Sequence, residues 1–217
     1  MGFVRSYGEY CALAHALDVV GERWTLLIVR ELLILGPCRY TDIQNGLPGI
    51  ASNLLAERLH DMEEAGIIRR EAAPPPIATT LFHLTKRGQD LRPAIEALAA
   101  WGGPLIARPI QSDEAFLSHW LRLPLEYHLK DRSPEADPIV IEVRTGDEPI
   151  LIETVNGSVR ARRGHADRPD AVITGSPSQV LGLLTGRLDP AEARSRGLKI
   201  EGSEDAVLRV RGAQPAQ

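Results

Sequence analysis

A chain of 217 residues with 43% hydrophobic and 25% charged residues has a soluble, globular balance and room for one large domain or two small ones. Aromatic residues are only 5%, so the core must come from Leu, Ile, Val and Ala. The net charge of −4 gives nucleic-acid binding no support, although a DNA reader needs only a local positive surface. No apolar run approaches the ~20 residues of a membrane helix. The first ten residues lack the basic-then-apolar order of a signal peptide, so the expected compartment is the cytoplasm and no membrane partner is expected.

Residues 12–20 predict a short amphipathic helix that Gly21 ends. A second helix is expected over 22–35, with Trp24, Leu27, Ile28 and Leu32 on one apolar stripe, stopped by Gly36-Pro37. Thr41 is placed to cap a helix of barely two turns, 42–47, before Pro48-Gly49 breaks the chain. Ser52 is placed to cap a longer helix, 53–65, closed by Gly66. Two short runs, 67–71 and 79–84, flank a loop that contains Pro74, Pro75 and Pro76, the pattern of a hairpin. Thr85 then caps a helix that reaches Trp101, broken only at Pro93, and Gly102-Gly103-Pro104 marks an exit.

The second half has another texture. An amphipathic helix is expected over 113–131, with Trp120 inside it and Pro124 as a disruption. Strands are expected over 139–144, 150–155, 158–163 and 171–174, with Asn156-Gly157 as a strong hairpin signal. Ser176 caps a helix over 177–184, Asp189-Pro190 starts another short one, and 198–201 is a last strand. A meander of strands followed by helices indicates α+β rather than a wound parallel sheet. The expected division is a domain over 1–103, a linker over 104–112, an α+β domain over 113–211 and a disordered tail over 212–217.

The constellation with most chemical content is helix, tight turn, helix and hairpin between Arg39 and Leu84. A major groove about 12 Å wide admits one α-helix. In the second of those helices Leu55, Leu59 and Met62 must pack inward, which turns Asn53, Glu57, His60 and Glu64 outward with Ala56 beside them. The N-terminal end of such a helix reads bases, so Ser52, Asn53, Ala56 and Glu57 are best placed, and His60 follows on the same face. Asn53 suits bidentate pairing with adenine. Arg39, Tyr40, Thr41, Arg69, Arg70, Lys86 and Arg87 suit phosphate contacts, which position without specifying, and Thr79 is a further DNA-binding candidate. The alternative is a small helical domain that docks another protein, for Glu57, Asp61, Glu63 and Glu64 repel phosphate.

The stretch YCALAHALDVVGERWTLLIVRELLILGPCRYTDIQNGLPGIASNLLAERLHDMEEAGIIRR, together with PPIATTLFHLTKRGQDLRPAIEALAAWG, closely resembles the HxlR-type family of winged-helix transcriptional regulators over residues 7–103. The resemblance implies a winged helix-turn-helix domain, homodimers formed by its first and last helices, and palindromic operators on double-stranded DNA. This chain departs from the family at the wing tip, where Ile77-Ala78 replaces a basic residue, and in its long continuation. That continuation, PDAVITGSPSQVLGLLTGRLDPAEARSRGLKIEGSEDAVLRV, resembles the second half of a sterol-carrier-protein-type lipid-binding domain. It implies a small apolar or amphipathic effector held between sheet and helices. Leu117, Trp120, Leu121, Leu125, Val180 and Leu184 are the candidate lining; the alternative is a filled core that serves as spacer or dimer stabiliser.

Cys11 stands near the start of the first helix, where some relatives sense oxidants or electrophiles, and a helix N-terminus lowers thiol pKa; a small core residue is the alternative. Cys38 sits in a turn. Neither the cysteines nor the six histidines have metal-ligand spacing, and no phosphate loop, nucleophile elbow or triad is present, so no metal, cofactor or enzymatic activity is expected. The reading is a dimeric, sequence-specific transcriptional regulator of α+β class. The rival is a carrier of lipids or small molecules whose helical domain serves assembly.

Overall fold

The computed structural model describes residues 6–73, 76, 78–106 and 108–212, and the chain divides into two compact units, Met1–Ile95 and Glu96–Gln217. Pro74, Pro75 and Ile77 of the expected wing loop and residues 213–217 of the expected tail lie outside the described residues.

The first unit opens with α1 (Ala12–Val20) and α2 (Thr25–Leu35). Thr25, Ile28, Val29 and Leu32 are the buried positions of α2 that carry the i, i+3, i+4, i+7 stripe. Leu27, expected in that stripe, is 40% exposed, because the helix begins three residues later than 22 and the stripe is centred one residue on. Trp24 lies before the helix in a left-handed conformation with φ 80°, with the Arg23 guanidinium 5.6 Å from its ring. Glu31 is fully buried, and its carboxylate accepts from Arg30 Nε at 2.9 Å and Nη2 at 2.7 Å.

A two-residue strand, β1 (Cys38–Arg39), leads into α3 (Tyr40–Asn45). The Arg39 N–H donates to the Asp42 carboxylate at 2.9 Å, so Arg39 is the cap residue and Thr41 stands inside the helix. Next comes α4 (Ser52–Glu64), where Ala51 holds the extended cap position and Ser52 is the first helical residue. Its end is a Schellman turn: Gly66, at φ 69°, donates to Glu63 at 3.0 Å, and Ile67 donates to Met62 at 2.9 Å.

The hairpin follows as β2 (Ile68–Ala72) and β3 (Thr80–Leu84), in register from Ile68↔Leu84 to Ala72↔Thr80. Because β1 pairs the other edge of β3, the sheet order is β1-β3-β2. The helix expected to run on to Trp101 is two, α5 (Lys86–Gln89) and α6 (Arg92–Gly102), with Pro93 in the first turn of α6, where its missing N–H costs nothing.

The second unit contains 3₁₀ turns at Gly103–Ile106 and Ser118–Leu121, then α7 (Arg122–His128). The single helix expected over 113–131 is not formed. Glu114 instead takes the Gln111 N–H at 2.9 Å, while Ser118 donates from N and Oγ to Asp147, both at 2.8 Å. The bond from Gln111 and the longer-range bonds to Asp147 compete with a helix, and Pro124 fits only within a first turn, which is where α7 puts it.

Strands β4 (Val140–Arg144), β5 (Ile150–Val155) and β6 (Ser158–Arg163) form the expected meander. Asn156 and Gly157 turn between β5 and β6 with φ 50° and 76°. Then β7 (Ala171–Thr174) returns beside β4 in parallel, α8 (Pro177–Leu184) and α9 (Pro190–Ser195) follow, and β8 (Lys199–Gly202) and α10 (Glu204–Val210) complete the chain. The sheet order β6-β5-β4-β7-β8 is therefore mixed. One sheet face, with Ile141, Val143, Ile150, Ile152 and Ile173, packs on α7, α8 and α10. Among the described residues no helix is long and apolar enough to cross a membrane.

Thr85 explains the Leu-Thr-x-x-Gly segment after the hairpin. Its hydroxyl donates to the Gly66 carbonyl at 2.6 Å and accepts from the Gly88 N–H at 3.2 Å. A Cβ on Gly88 would lie 2.2 Å from the Ile67 carbonyl oxygen, a backbone atom that cannot swing aside. Gly88→Ala is therefore expected to cost roughly 1–3 kcal/mol. Gly102→Ala, where a Cβ meets nothing within 4 Å, should leave the urea midpoint unchanged or slightly raised. Equal midpoints for the two variants would show that the approach at Gly88 is soft.

Candidate nucleic-acid interface

Burial of Leu55, Leu59 and Met62 fixes how α4 sits, and it leaves Ser52, Asn53, Ala56, Glu57 and His60 exposed on the opposite face. The base-reading set expected from the sequence therefore shares one surface. Thirteen residues give this helix a length of about 20 Å, enough to lie along a stretch of major groove. Its approach is held by α3: the Tyr40 hydroxyl donates to the Ser52 carbonyl at 2.6 Å, and Gln44 Nε2 donates to Ser52 Oγ at 2.7 Å. Tyr40, expected at phosphate, thus also sets the angle between the two helices. Gln44 was missed because a Gln in a short helix carries no distinguishing pattern.

Beside these helices lies a cleft of about 460 Å³, lined by Arg39, Tyr40, Thr41, Arg70, Thr79, Thr80 and Phe82. Five of its seven residues, Arg39, Tyr40, Thr41, Arg70 and Thr79, are among the expected DNA-binding residues. The strand pairing Cys38↔Phe82↔Arg70 brings them together, since β1 places Arg39 and the start of α3 against the wing. The Arg70 guanidinium lies 5.8 Å from the Phe82 ring centre.

Arg69, Arg70, Lys86 and Arg87 each have a partner of their own. Arg70 pairs with Glu63 at 2.7 Å, Arg69 with Glu71, and Lys86 with Asp90. Arg87 donates to the Ala65 carbonyl at 2.8 Å and so completes the C-terminal end of α4. On α4 itself Arg58 lies 3.2 Å from Asp61 and also engages Glu57, while His60 stands 3.5 Å from Glu64. Acid and base are interleaved across the whole surface.

The two thiols differ in kind. Cys11 is exposed at the cap position of α1, where the N–H groups of Ala14 and then Leu13 face its sulfur and hold its pKa below the ordinary value, although no cap hydrogen bond is formed. Cys38 is buried; loss of solvent, then the charges of Asp42 and Glu31, push its thiol up to about 12.

In the second unit the six candidate ligand residues separate into two groups. Leu121, Leu125, Val180 and Leu184 are buried within one apolar cluster with the sheet face, whereas Leu117 and Trp120 are half-buried. Among the described residues no group of three or more His, Cys, Asp or Glu side chains could hold a metal ion.

Residues 19–109 match the HxlR-like helix-turn-helix family, and residues 126–214 match the SCP-2 sterol transfer family. The chain is similar to the HTH-type transcriptional regulator YvaP of Bacillus subtilis, 33% identical over 86 residues that cover 40% of this chain and 79% of YvaP. It is equally similar to the HTH-type regulator YodB of the same organism, 33% identical over 40% of this chain and 76% of YodB. The reduced form of YodB superposes with a TM-score of 0.40 at 29% identity, over 45% of this chain and 96% of that one.

Two outcomes follow from this geometry. In the native protein at neutral pH, iodoacetamide should label Cys11 and spare Cys38, as read by peptide mass mapping; equal labelling would remove the distinction. Leu125→Ala should cost about 2–5 kcal/mol in urea unfolding, as a filled core position does. A loss well below that would mean that the space beside Leu125 is open enough for a ligand.

Proposed function

We propose, from the premise that the chain belongs to the HxlR-like helix-turn-helix family and is a sequence-specific DNA-binding transcriptional regulator, that α4 enters the major groove while the cleft beside the wing grips phosphate. The observation that carries this reading is the coincidence of two surfaces. The exposed face of α4 presents Asn53 and Glu57, and the adjoining cleft collects Arg39, Thr41, Arg70 and Thr79. Asn53 pairs with adenine and Glu57 accepts from the amino group of cytosine, the pairings their donor and acceptor sets allow. Phosphate binding at Arg70 exchanges its internal partner Glu63 for DNA, so each such contact contributes less net affinity than an unpaired arginine does.

The partners in this reading are double-stranded DNA and a second copy of the chain. Tyr10, Leu13 and Leu17 at α1 and Leu98 and Trp101 on α6 are exposed apolar residues that a two-fold homodimer would cover. Such a dimer reads a palindromic site with half-sites about one helical turn, or a multiple of it, apart. The functional division is a DNA-binding and dimerisation domain over 1–103, a linker over 104–112 and an SCP-2-type domain over 113–211. The last is the effector-binding or dimer-stabilising half, and an apolar effector would have to enter past Leu117 and Trp120, because the four inner candidates fill the core. Cys11 is a second point of control open to electrophiles, supported by its exposure and lowered pKa. The protein works in the cytoplasm, where operator DNA is found and free thiols stay reduced.

Asn53→Ala and Glu57→Ala are expected to change which sequences are selected from a random library, at a cost of about 1–3 kcal/mol of discrimination each. Arg70→Ala should weaken all sequences alike and reduce the slope of log K against log salt by about 1. Unchanged selection by both helix variants would mean that another surface reads the bases.

A further inference from the structure

We propose that a second cleft of the winged-helix unit, on the opposite face of the hairpin from the phosphate cleft, binds a small amphipathic anion: an aryl or alkyl carboxylate. This cleft has a volume of about 380 Å³ and lies where the end of α2, the base of the hairpin and α5 and α6 meet. That volume falls in the range of small-molecule sites, ~300–1,000 Å³, and suits a single ring or a short chain rather than a lipid.

Its lining divides by chemistry. Leu32, Leu33 and Leu84 with Pro37 supply an apolar wall, while Arg69, His83, Gln89 and Arg92 supply nitrogen donors, and among the described residues no acidic side chain lines it. The donors come from separate elements that the fold brings together. Arg69 and His83 are direct partners in the β2–β3 ladder, so both side chains stand on one face at neighbouring positions. Arg92 is the first residue of α6 and Gln89 the last of α5. Arg70, next along β2, projects to the other face, where it lines the phosphate cleft. The two clefts are thus separate surfaces of one hairpin.

The protein itself shows what this donor pair attracts. The Glu71 carboxylate bonds to Arg69 and lies 3.5 Å from His83 Nε2, and those contacts hold the Glu71 carboxyl below the ordinary value, the Arg69 hydrogen bond first. His83 Nε2 is buried with no hydrogen-bond partner among the described residues, so its capacity as a donor or acceptor is unused. An incoming carboxylate takes the place of Glu71 at Arg69, draws a further bond from Arg92 or Gln89, and lays its carbon skeleton on the leucines. A hydrated phosphate gains nothing from that wall, and a neutral aromatic gains nothing from the donors.

The test needs no DNA, so it stands apart from the operator reading. The full-length protein is titrated by calorimetry with benzoate and hexanoate, and with inorganic phosphate and benzyl alcohol as comparators. Saturable binding of the two carboxylates, well above that of either comparator, is expected. Arg92→Gln should weaken benzoate on the order of tenfold or more, the scale of a charge-assisted hydrogen bond. Arg70→Gln, on the opposite face, should leave it unchanged. Glu71→Gln should tighten benzoate by removing the internal competitor, a gain that a folding defect cannot imitate. No saturable benzoate binding, phosphate bound as well as benzoate, or an affinity indifferent to both Arg92→Gln and Glu71→Gln would each overturn the proposal.

Discussion

The surface of the winged-helix unit depends on the lock at Thr85. A single hydroxyl donates to the carbonyl of Gly66, which closes α4, and accepts from the amide of Gly88, which opens α5. The Thr85 amide also donates to Ile67 at 2.9 Å. The end of α4, the base of the hairpin and the start of the next helix are therefore one rigid joint. Gly88 is part of it because any Cβ there would meet the Ile67 carbonyl. The angle between α4 and the hairpin is set at this joint. Glu31 and Gly46 make a comparable joint on the far side of α3, where a Cβ on Gly46 would lie 2.1 Å from the buried carboxylate.

The negative net charge and the phosphate role proposed for the cleft are compatible, because several of the cations are already paired with acids. Three of the expected phosphate cations have a carboxylate neighbour of their own: Arg70 has Glu63, Arg69 has Glu71 and Lys86 has Asp90. Exposed ion pairs are worth little in stability, so exchanging one for phosphate is cheap. The acids still lower the long-range attraction for DNA. In the proposed reading such a surface has less long-range attraction for arbitrary DNA, and a larger share of the discrimination falls to Asn53 and Glu57. An interleaved surface sacrifices non-specific affinity and keeps selectivity.

Much of this was legible in the sequence wherever local chemistry alone decides the outcome. The hairpin turn at Asn156-Gly157, the strands β5, β6 and β7 and the helix α8 appear at the expected residues, because each is bounded by a turn or cap whose geometry is local. The exposed face of α4 was legible for the same reason: Leu55, Leu59 and Met62 leave only one way to turn the helix. What depended on distant partners was not. Two residues of β1 carry no strand signal and exist only because β3 pairs with them. The parallel return of β7 beside β4 is a tertiary choice. Residues 113–121 have an amphipathic rhythm, yet Asp147 and Arg108 draw Ser118 and Glu114 into other bonds. The helix α10 could have been found, since Ser203 caps it, Glu204 and Asp205 begin it, and Ala206, Val207 and Val210 share a face.

The second unit shows where resemblance and packing part company. An SCP-2-type match raises the expectation of an apolar ligand, but Leu121, Leu125, Val180 and Leu184 are spent on one another and on the sheet. A closely packed interior excludes a ligand unless side chains move, and moving them opposes the very contacts that hold the fold. In the proposed reading, an effector of this domain would act through a rearrangement that its binding makes favourable, not by filling a void already there. Such a ligand acts only through a difference in affinity between two arrangements of the protein. The half-buried Trp120 and, just before it, Leu117 lie at a 3₁₀ turn held by Ser118 to Asp147. Leu117 and Trp120 are therefore the candidate residues through which such an arrangement could meet an apolar ligand without first opening the cluster of Leu121, Leu125, Val180 and Leu184.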